Sequence, residues 1–237
     1  MELKKVYSGK TKDIYKKSDG NLIIYFKDDV TGENGVVDPG ANSVMGKIQG
    51  KGKKSLEITN YFFNLLKKEN IPTHLISVDI DKNTMEVKEA VMPGKQAGSS
   101  GTFEFICRRK AYGSFVKRYQ NFIKEQLQNL DYLVEITLKD DERGDPLIND
   151  DAIVNLGILT REQLNKAKSL TRQITETITE VLRKKNLCLV DIKMEFGIID
   201  GDIALIDEIS GDSMRVLDKN GKFLSHEDLY QYIFNPL

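Results

Sequence analysis

The sequence predicts an α+β fold in two lobes, and three observations support this prediction. Residues 1–92 consist mainly of short β-rich runs that are broken by glycine turns. A stretch rich in Pro, Gly and Ser follows at 93–101 and indicates a hinge or loop. Beyond it, further β-rich runs accompany the longest amphipathic helical pattern of the chain. We therefore predict a β-rich N-terminal lobe over 1–93 and an α+β C-terminal lobe over 94–237.

The N-terminal lobe is predicted to contain five strands and one helix. The strands are expected at residues 4–9, 13–17, 21–28, 73–79 and 84–91. Gly9 and the pair Asp19-Gly20 separate the first three, as turn residues do. The helix is expected at residues 55–69, and it ends before Pro72. Its apolar residues recur at helical spacing and are Ile58, Tyr61, Phe62, Leu65 and Leu66.

The C-terminal lobe is predicted to combine strands at 104–109 and 131–138, a short helix between them, and a long helix. Thr160, with Gln163 three residues later, is a capping box for the long helix at 161–185. Its apolar stripe buries one face and comprises Leu164, Ala167, Leu170, Ile174, Ile178 and Val181. A β-hairpin from residue 188 and a C-terminal helix, opened by Ser225 with Asp228, complete the chain.

Composition limits the classes of function. The 237 residues are 40% hydrophobic and 30% charged, as in globular proteins. Lys plus Arg number 35 against 36 for Asp plus Glu, and a general nucleic-acid binder needs a basic excess. The sequence has no apolar run long enough to span a membrane and no apolar signal core in its first ten residues. We therefore expect a cytoplasmic protein that binds neither nucleic acid nor membrane.

Cysteine and histidine are scarce. Cys107 and Cys188 stand alone within apolar runs, which predicts buried reduced thiols and neither a metal cluster nor a disulfide. The chain has two histidines, His74 and His226, each with polar or charged neighbours. We expect both at the surface, and we expect no histidine-centred catalysis.

The hairpin in residues 188–215 carries an unusual row of charges. Asp191, Lys193 and Glu195 share one face of its first strand, opposite an apolar face. A three-residue loop would place Glu195 directly opposite Asp207, and two facing carboxylates repel unless a cation lies between them. Mg²⁺ prefers such oxygen ligands. A two-residue turn would put Asp207 on the other face, and a solvated polar face is the alternative interpretation.

Two other segments carry candidate anion-binding groups. "SGKTKDIY" is not a Walker A motif, because Lys4 stands where that pattern needs glycine. Its lysines 10 and 12 alternate to one side and could cover phosphates, or could form a basic surface hairpin. "EFICRRKAYGSFVKR" brings Arg108 and Arg109 before Gly113-Ser114, a cradle for phosphate or carboxylate. A basic strand end at the surface is the alternative there.

These segments, with three others, resemble the SAICAR synthetase (phosphoribosylaminoimidazole-succinocarboxamide synthase) family nearly end to end. The similar blocks are "GKTKDIY", "RRKAYGSFVKR", "LKDDERGDPLIND", "CLVDIKMEFG" and "IDEISGDSMR", in order and spacing. The resemblance implies a two-lobe α+β fold related to ATP-grasp and kinase-like nucleotide-binding folds, with antiparallel sheets and flanking helices. It also places a nucleotide-binding lobe over 1–93 and the metal and substrate sites in 94–237.

The resemblance assigns roles to individual residues. ATP binding falls to Lys10, Thr11, Lys12, Ile14, Val87, Lys88, Met92 and Lys139. Metal binding falls to Glu195 and Asp207. Substrate binding falls to Arg108, Ser114, Asp145, Asp212 and Arg215, and the catalytic set is Lys193, Glu195, Asp207 and Arg215.

The activity implied by the resemblance is an ATP-dependent ligase reaction. It joins carboxyaminoimidazole ribotide (CAIR) to L-aspartate through an acyl phosphate, and it gives SAICAR, ADP and phosphate. The implied partners are CAIR, L-aspartate and ATP, with Mg²⁺ as cofactor and a homodimer as the assembly. A small-molecule kinase on a related fold is one alternative, and a nucleotide sensor without turnover is another.

The chain departs from the family pattern at three places. The family commonly has Pro then Asp after "DEIS", where this chain has Gly211-Asp212. An aromatic residue often stands where this chain has Leu217. The stretch 93–101 resembles an insertion between the adenine-pocket strand and "EFICRR".

Overall fold

The computed structural model of the chain describes residues 3–33, 35–38, 43–94 and 103–235. Most of the predicted hinge at 93–101 lies outside these described residues. No helix within the described ranges has both the length and the apolar character that a membrane crossing requires.

The secondary structure is a mixture of helices and antiparallel strands, which confirms the predicted α+β class. The helices are α1 (Lys51–Lys68), α2 (Ser114–Tyr119), α3 (Asp150–Asn155), α4 (Arg161–Arg183) and α5 (His226–Phe234). The strands are β1 (Lys4–Ser8), β2 (Lys12–Lys16), β3 (Leu22–Phe26), β4 (Asp29–Glu33), β5 (Val36–Val37), β6 (Val44–Lys47), β7 (Leu75–Asp79), β8 (Thr84–Val87), β9 (Phe103–Lys110), β10 (Asn129–Leu138), β11 (Cys188–Ile199), β12 (Asp202–Ile206) and β13 (Met214–Leu217).

The N-terminal part forms an antiparallel sheet with the strand order β1-β2-β3-β8-β7. One face of this sheet packs on the first half of α1 and forms a small core of Ile24, Phe26, Leu56, Met85 and Val87. Strands β4, β5 and β6 form a separate three-stranded sheet in the order β5-β4-β6. The sequence pattern does not predict this sheet, because its strands are short and contain glycine and acidic residues, which have low β-propensity.

The C-terminal part is organised around β11, a strand of 12 residues. The sheet order is β10-β9-β11-β12, and β13 also pairs with β11. The apolar stripe of α4 packs against this sheet, and both predicted capping boxes, at Thr160 and at Ser225, are present. The sheet therefore holds β11 between β9 on one side and β12 and β13 on the other.

Helix α1 connects the two parts of the molecule. Its Ile58, Phe62, Phe63 and Leu66 belong to the larger core, together with α4 and the C-terminal sheet. The helix begins at Lys51, four residues before the predicted start, because its first turn is polar in sequence yet buried in the fold. The division of the chain near residue 93 stays a prediction.

Two backbone crossings connect the first sheet to the β11–β12 hairpin. His74 donates its backbone N–H to Leu205 O at 3.0 Å, beside a parallel bridge from Thr73. Val91 and Ile198 exchange both backbone hydrogen bonds, each 2.9 Å long. The hairpin is thus held against the segments that enter β7 and leave β8.

The hairpin turn differs from the three-residue loop that would place Glu195 opposite Asp207. Ile199 pairs with Asp202, so the turn consists of Asp200 and Gly201, both with positive φ. Such a two-residue Asp-Gly turn matches the right-handed twist of the strands. Glu195 therefore faces Ile206 across the ladder instead of Asp207.

The histidine prediction is wrong for His74 and for His226. His74 is only 4% exposed and lies under the β12 end, and the His226 side chain packs against Gly211 and Asp212. Local composition did not indicate this burial, because it results from contacts with residues 207 and 212, which are distant in the chain from His74 and His226. Cys107 is buried as expected, and Cys188 is half-buried.

Candidate active site

Lys12 joins the N-terminal sheet to the end of β12. Its ammonium lies 2.6 Å from Asp207 Oδ1 and 2.5 Å from Glu208 Oε1. Asp207 has a φ of 65°, a left-handed conformation that redirects the chain directly after β12. This backbone conformation brings the Asp207 carboxylate to Lys12, although the ladder register alone would not place it there.

Lys139 and Glu195 form the second ion pair of this cluster. Lys139 follows β10, and its ammonium lies 2.6 Å from Glu195 Oε1 on β11. Asp207 raises the pKa of Glu195 and helps to raise that of Lys139, which places the two ion pairs within electrostatic reach of one another. We call Lys12, Lys139, Glu195, Asp207 and Glu208 the lysine–carboxylate cluster.

Burial and neighbouring charges shift the pKa values of this cluster in opposite directions. Burial raises the pKa of Glu195, and the charge of Lys139 only partly opposes that shift. For Asp207 the opposing charges of Lys12 and Lys139 outweigh burial, so its pKa is lowered. Burial alone would lower the pKa of Lys12, but Asp207 and Glu208 outweigh it and raise that pKa. Both lysines therefore remain charged at neutral pH.

The described residues contain no group of three His, Cys, Asp or Glu side chains that could hold a metal ion by themselves. Glu195 and Asp207 supply two carboxylates. Mg²⁺ commonly binds through one or two carboxylates together with substrate phosphates, so this pair fits that ion when a nucleotide is present.

Two further lysines, Lys10 and Lys193, also pair with acidic side chains. Lys10 contacts Asp141 at 2.8 Å, so both lysines of the first hairpin reach acidic residues of the C-terminal part. Lys193 lies between Asp191 and Glu195 along β11, and its ammonium is 2.9 Å from Glu104 Oε1 on β9. Thr137 donates to the other Glu104 oxygen at 3.3 Å.

Arg108 is the core of a second charged cluster and is only 2% exposed. Its Nε donates to Glu135 at 2.5 Å, and its terminal nitrogens donate to Asp191 and to Ser114 Oγ, each at 3.1 Å. Arg118 also donates to Glu135, at 2.6 Å. Ser114 begins α2, directly after Gly113, whose φ of 57° and ψ of −129° require glycine.

Arg215 is the more accessible arginine of this cluster. Its Nη1 lies 2.9 Å from Asp191 Oδ2, and its Nε and Nη2 both donate to Asp38 Oδ1, at 3.0 and 2.8 Å. The guanidinium carbon lies 5.3 Å from the centre of the Tyr112 ring. Asp191 therefore contacts both arginines, and we call Arg108, Arg215, Ser114, Asp191 and Asp38 the arginine cluster.

Asp212 belongs to a third group of contacts, at the start of α1. Its carboxylate pairs with the Lys51 ammonium and accepts from His226 Nε2 at 2.8 Å and from Ser55 Oγ at 3.3 Å. The hydrogen bond from His226 is the largest of the effects that lower the pKa of Asp212 against the effect of burial. Asp145 lies apart from this group, in a turn where its Oδ1 accepts the Asp140 N–H at 2.8 Å.

The residues predicted to contact a nucleotide follow the first sheet and its exit. Ile14 packs on the small core, and Val87 is part of that core. Thr11 lies between the two hairpin lysines, and its backbone carbonyl accepts from Lys27 N–H at 2.9 Å. Lys88 pairs with Asp200 of the β11–β12 turn at 2.8 Å, and Met92 follows the Val91–Ile198 bridge.

Several buried acids at these clusters were absent from the sequence-based site. Glu104, Glu135, Asp191 and Glu208 are all buried, and each contacts a lysine or an arginine of the site. A sequence signal existed for each, since a charged residue within an apolar strand pattern is unusual unless it is paired.

Comparison with known proteins identifies the family. A family model described as SAICAR synthetase matches residues 5–229. The chain belongs to the SAICAR synthetase family. A phosphoribosylaminoimidazole-succinocarboxamide synthase of Clostridium tetani is 50% identical over 230 residues, which cover 96% of this chain and 98% of that protein. One from Clostridium perfringens is 36% identical, over 92% of this chain and 85% of that protein.

Solved SAICAR synthetases share the fold. A SAICAR synthetase (Type-2) in complex with ADP superimposes with a TM-score of 0.83 at 29% identity, over 98% of this chain and 97% of that chain. A SAICAR synthetase from Pyrococcus horikoshii OT3 superimposes with a TM-score of 0.79, also at 29% identity, over 94% and 96%. The family resemblance noted in the sequence motifs is therefore confirmed in sequence and in fold.

Proposed function

We propose that this chain is an ATP-dependent ligase of purine biosynthesis that joins the carboxylate of CAIR to the amine of L-aspartate. Its products are SAICAR, ADP and phosphate. The family membership and the names of its relatives support this function, as does the ADP complex of a similar structure. We further propose that the enzyme is cytoplasmic and homodimeric and acts on small molecules.

One structural observation carries the proposal: β11 places two charged clusters side by side. Asp191, Lys193 and Glu195 alternate along this strand, so they lie on one face, about 7 Å apart from one to the next. Asp191 contacts the arginine cluster, and Glu195 belongs to the lysine–carboxylate cluster. A reaction between a phosphate-bearing ribotide and the triphosphate of ATP needs two adjacent anion sites of this kind.

The lysine–carboxylate cluster is suited to a nucleotide that brings a divalent cation. Its three carboxylates exceed its two lysines, so the cluster would repel a bare triphosphate. Glu195 and Asp207 would hold Mg²⁺, which would polarise the transferring phosphoryl group when bound. Lys12 and Lys139 would then be available to neutralise phosphate charge.

The proposed chemistry has two steps. A carboxylate is a poor electrophile, so a CAIR carboxylate oxygen first attacks the γ-phosphorus of ATP, and ADP leaves. The amine of L-aspartate then attacks the carbonyl carbon of the acyl phosphate, and phosphate leaves with the bonding electrons while the amine loses a proton. The protein contributes positioning and charge stabilisation, and it keeps water from the acyl phosphate.

The arginine cluster would bind the ribotide. We propose that Arg215, Arg108 and Ser114 hold its phosphate, with Lys193 directed to its carboxylate. In the described structure Arg215 donates from its Nε and Nη2 edge to Asp38, and such an edge also matches phosphate geometry. Ribotide binding through this edge would require Asp38 to move.

ADP release with each substrate omitted in turn tests the function. We expect release to require ATP, Mg²⁺, CAIR and L-aspartate together, with SAICAR as the product. A small-molecule kinase would release ADP without L-aspartate and would accumulate a stable phosphorylated product, and that result would overturn the ligase proposal. Binding of ATP without any turnover would indicate the sensor alternative.

A further inference from the structure

Glu208 is a buried acid for which the proposed reaction has not yet required a role. It is 3% exposed, and its Oε1 lies 2.5 Å from the Lys12 ammonium. Its other oxygen, Oε2, accepts a hydrogen bond from Ser210 Oγ at 2.5 Å. Both carboxylate oxygens of Glu208 therefore have fixed partners, one of which is a predicted phosphate-binding lysine.

Ser210 holds the Glu208 carboxylate through the oxygen that does not contact Lys12. The Ser210 hydroxyl oxygen also accepts the backbone N–H of Asp212 at 3.0 Å, and the Ser210 N–H donates to Ser213 Oγ at 3.0 Å. Ser213 donates its own N–H back to Ser210 O at 3.1 Å. The turn after β12 is thus closed by several hydrogen bonds, which hold the Ser210 hydroxyl beside Glu208.

Asp207 and Glu208 contact the same lysine from different environments. The Asp207 side chain is 31% exposed, whereas the Glu208 side chain is 2% exposed. Asp207 is therefore the carboxylate that can turn to a ligand, and Glu208 is the one that stays with Lys12. An ammonium on a flexible four-carbon stem needs such a partner to keep one position.

We propose that Glu208 is a positioning residue that holds Lys12 at the nucleotide phosphates while Asp207 faces the cation and the substrate. The proposal rests on the proposed function. It makes a counterintuitive prediction about charge, since loss of an acid beside a phosphate site would by electrostatics alone strengthen phosphate binding. A loss of ATP use in Glu208→Gln would therefore report lost positioning of Lys12.

The test compares Glu208→Gln, Lys12→Met and the double variant. Initial rates give kcat and KM for ATP, CAIR and L-aspartate, and calorimetry with ADP and Mg²⁺ measures binding without turnover. Glu180→Gln is the control, because Glu180 pairs with Arg183 at 2.9 Å near the end of α4, and none of these residues is assigned to a ligand. Thermal unfolding of each variant checks that it is folded.

We expect Glu208→Gln to lower kcat/KM for ATP about 10-fold or more and to leave the KM for L-aspartate within about twofold. In the Lys12→Met background the same substitution should change kcat/KM for ATP by less than about twofold, since residues that act through one another are not additive. Glu180→Gln should match the wild type, and ADP binding to Glu208→Gln should weaken.

Equal effects of Glu208→Gln in both backgrounds, or tighter ADP binding, would overturn the proposal. If Glu208→Gln does not fold, Ser210→Ala decides the question. It removes the hydroxyl that fixes Glu208 and that also accepts the Asp212 N–H. It should therefore reduce kcat/KM for ATP in the wild type and not with Lys12→Met, whereas an effect through Asp212 would be the same in both backgrounds. Failure of the proposed function can be told apart from failure of this proposal, because it would appear as ADP release by the wild-type enzyme without L-aspartate.

Discussion

A Cβ atom at Gly211 would lie 2.7 Å from Cδ2 of His226, so the loop after β12 approaches the imidazole more closely than any other residue would allow. His226 in turn places Nε2 2.8 Å from Asp212 Oδ1. The family pattern commonly has proline at this position. The structure explains the departure, since glycine at 211 lets the first residue of α5 pack on the loop and hold Asp212 together with Lys51.

Gly211→Ala should therefore destabilise the fold. Its methyl group forces the His226 ring away from Asp212, and overpacking of this kind costs about 1–3 kcal/mol. Denaturant unfolding measures the loss. Adding His226→Ala should remove the clash, so the double variant should lose less than the sum of the two single losses. Simple additivity would show that the two residues do not interact.

Glu195→Gln and Asp207→Asn should each reduce turnover at least ~100-fold, as expected for loss of a charge-stabilising group in the transition state. Circular dichroism should show that both variants keep the fold. Asp202→Asn is the matched control, since Asp202 lies in the same hairpin and pairs with the exposed Lys166 at 2.5 Å. Near-wild-type rates for both variants at low Mg²⁺ would contradict the assignment of these carboxylates to the cation.

Arg215→Ala should weaken CAIR binding far more than ATP binding. The variant loses a charge-assisted contact to the ribotide phosphate, worth roughly 1.5–3 kcal/mol. Calorimetric titration with each ligand measures both affinities. The control is Arg183→Ala, which removes an exposed arginine that pairs with Glu180. Equal losses for CAIR and ATP would show that the two anion sites are not separate.

The sequence was sufficient to predict secondary structure and shared faces where the periodicity of its apolar residues coincides with burial. The alternation along β11 predicted which charges share a face, and the capping boxes at Thr160 and Ser225 marked two helix starts. Local patterns failed where long-range contacts decide the outcome. The burial of Glu208 depends on Lys12, almost two hundred residues away in the chain, and the direction of Asp207 depends on its left-handed backbone.

His74 is another residue whose burial the local sequence did not indicate, and this burial leads to a prediction about how stability depends on pH. Its imidazole lies beneath Asp207, and Nε2 donates to the Asp207 carbonyl oxygen at 3.2 Å. Burial, assisted by the charge of Lys12, lowers the pKa of His74 from 6.5 to about 4, although Asp207 opposes the shift. The ring is therefore neutral at neutral pH, where it can donate to the carbonyl without bringing a charge into the core.

The lowered pKa of His74 should make stability depend on pH. Between about pH 4 and pH 6.5 the unfolded chain holds a proton on this residue and the folded chain does not. The contribution of His74 is thus complete above pH 6.5, declines as the pH falls, and levels off below about pH 4. The total decline is about 3 kcal/mol, from 1.36 kcal/mol per pH unit.

His74→Gln keeps an N–H donor for the Asp207 carbonyl and removes the titration. We expect the wild type to lose about 2 kcal/mol more unfolding free energy than His74→Gln between pH 7.5 and pH 5. Guanidinium unfolding at both pH values measures the difference. The raised pKa values of Glu195 and Glu208 also affect stability with pH, but both chains contain these residues, so the comparison isolates His74. Parallel pH profiles for the two proteins would mean that His74 titrates normally in the folded enzyme.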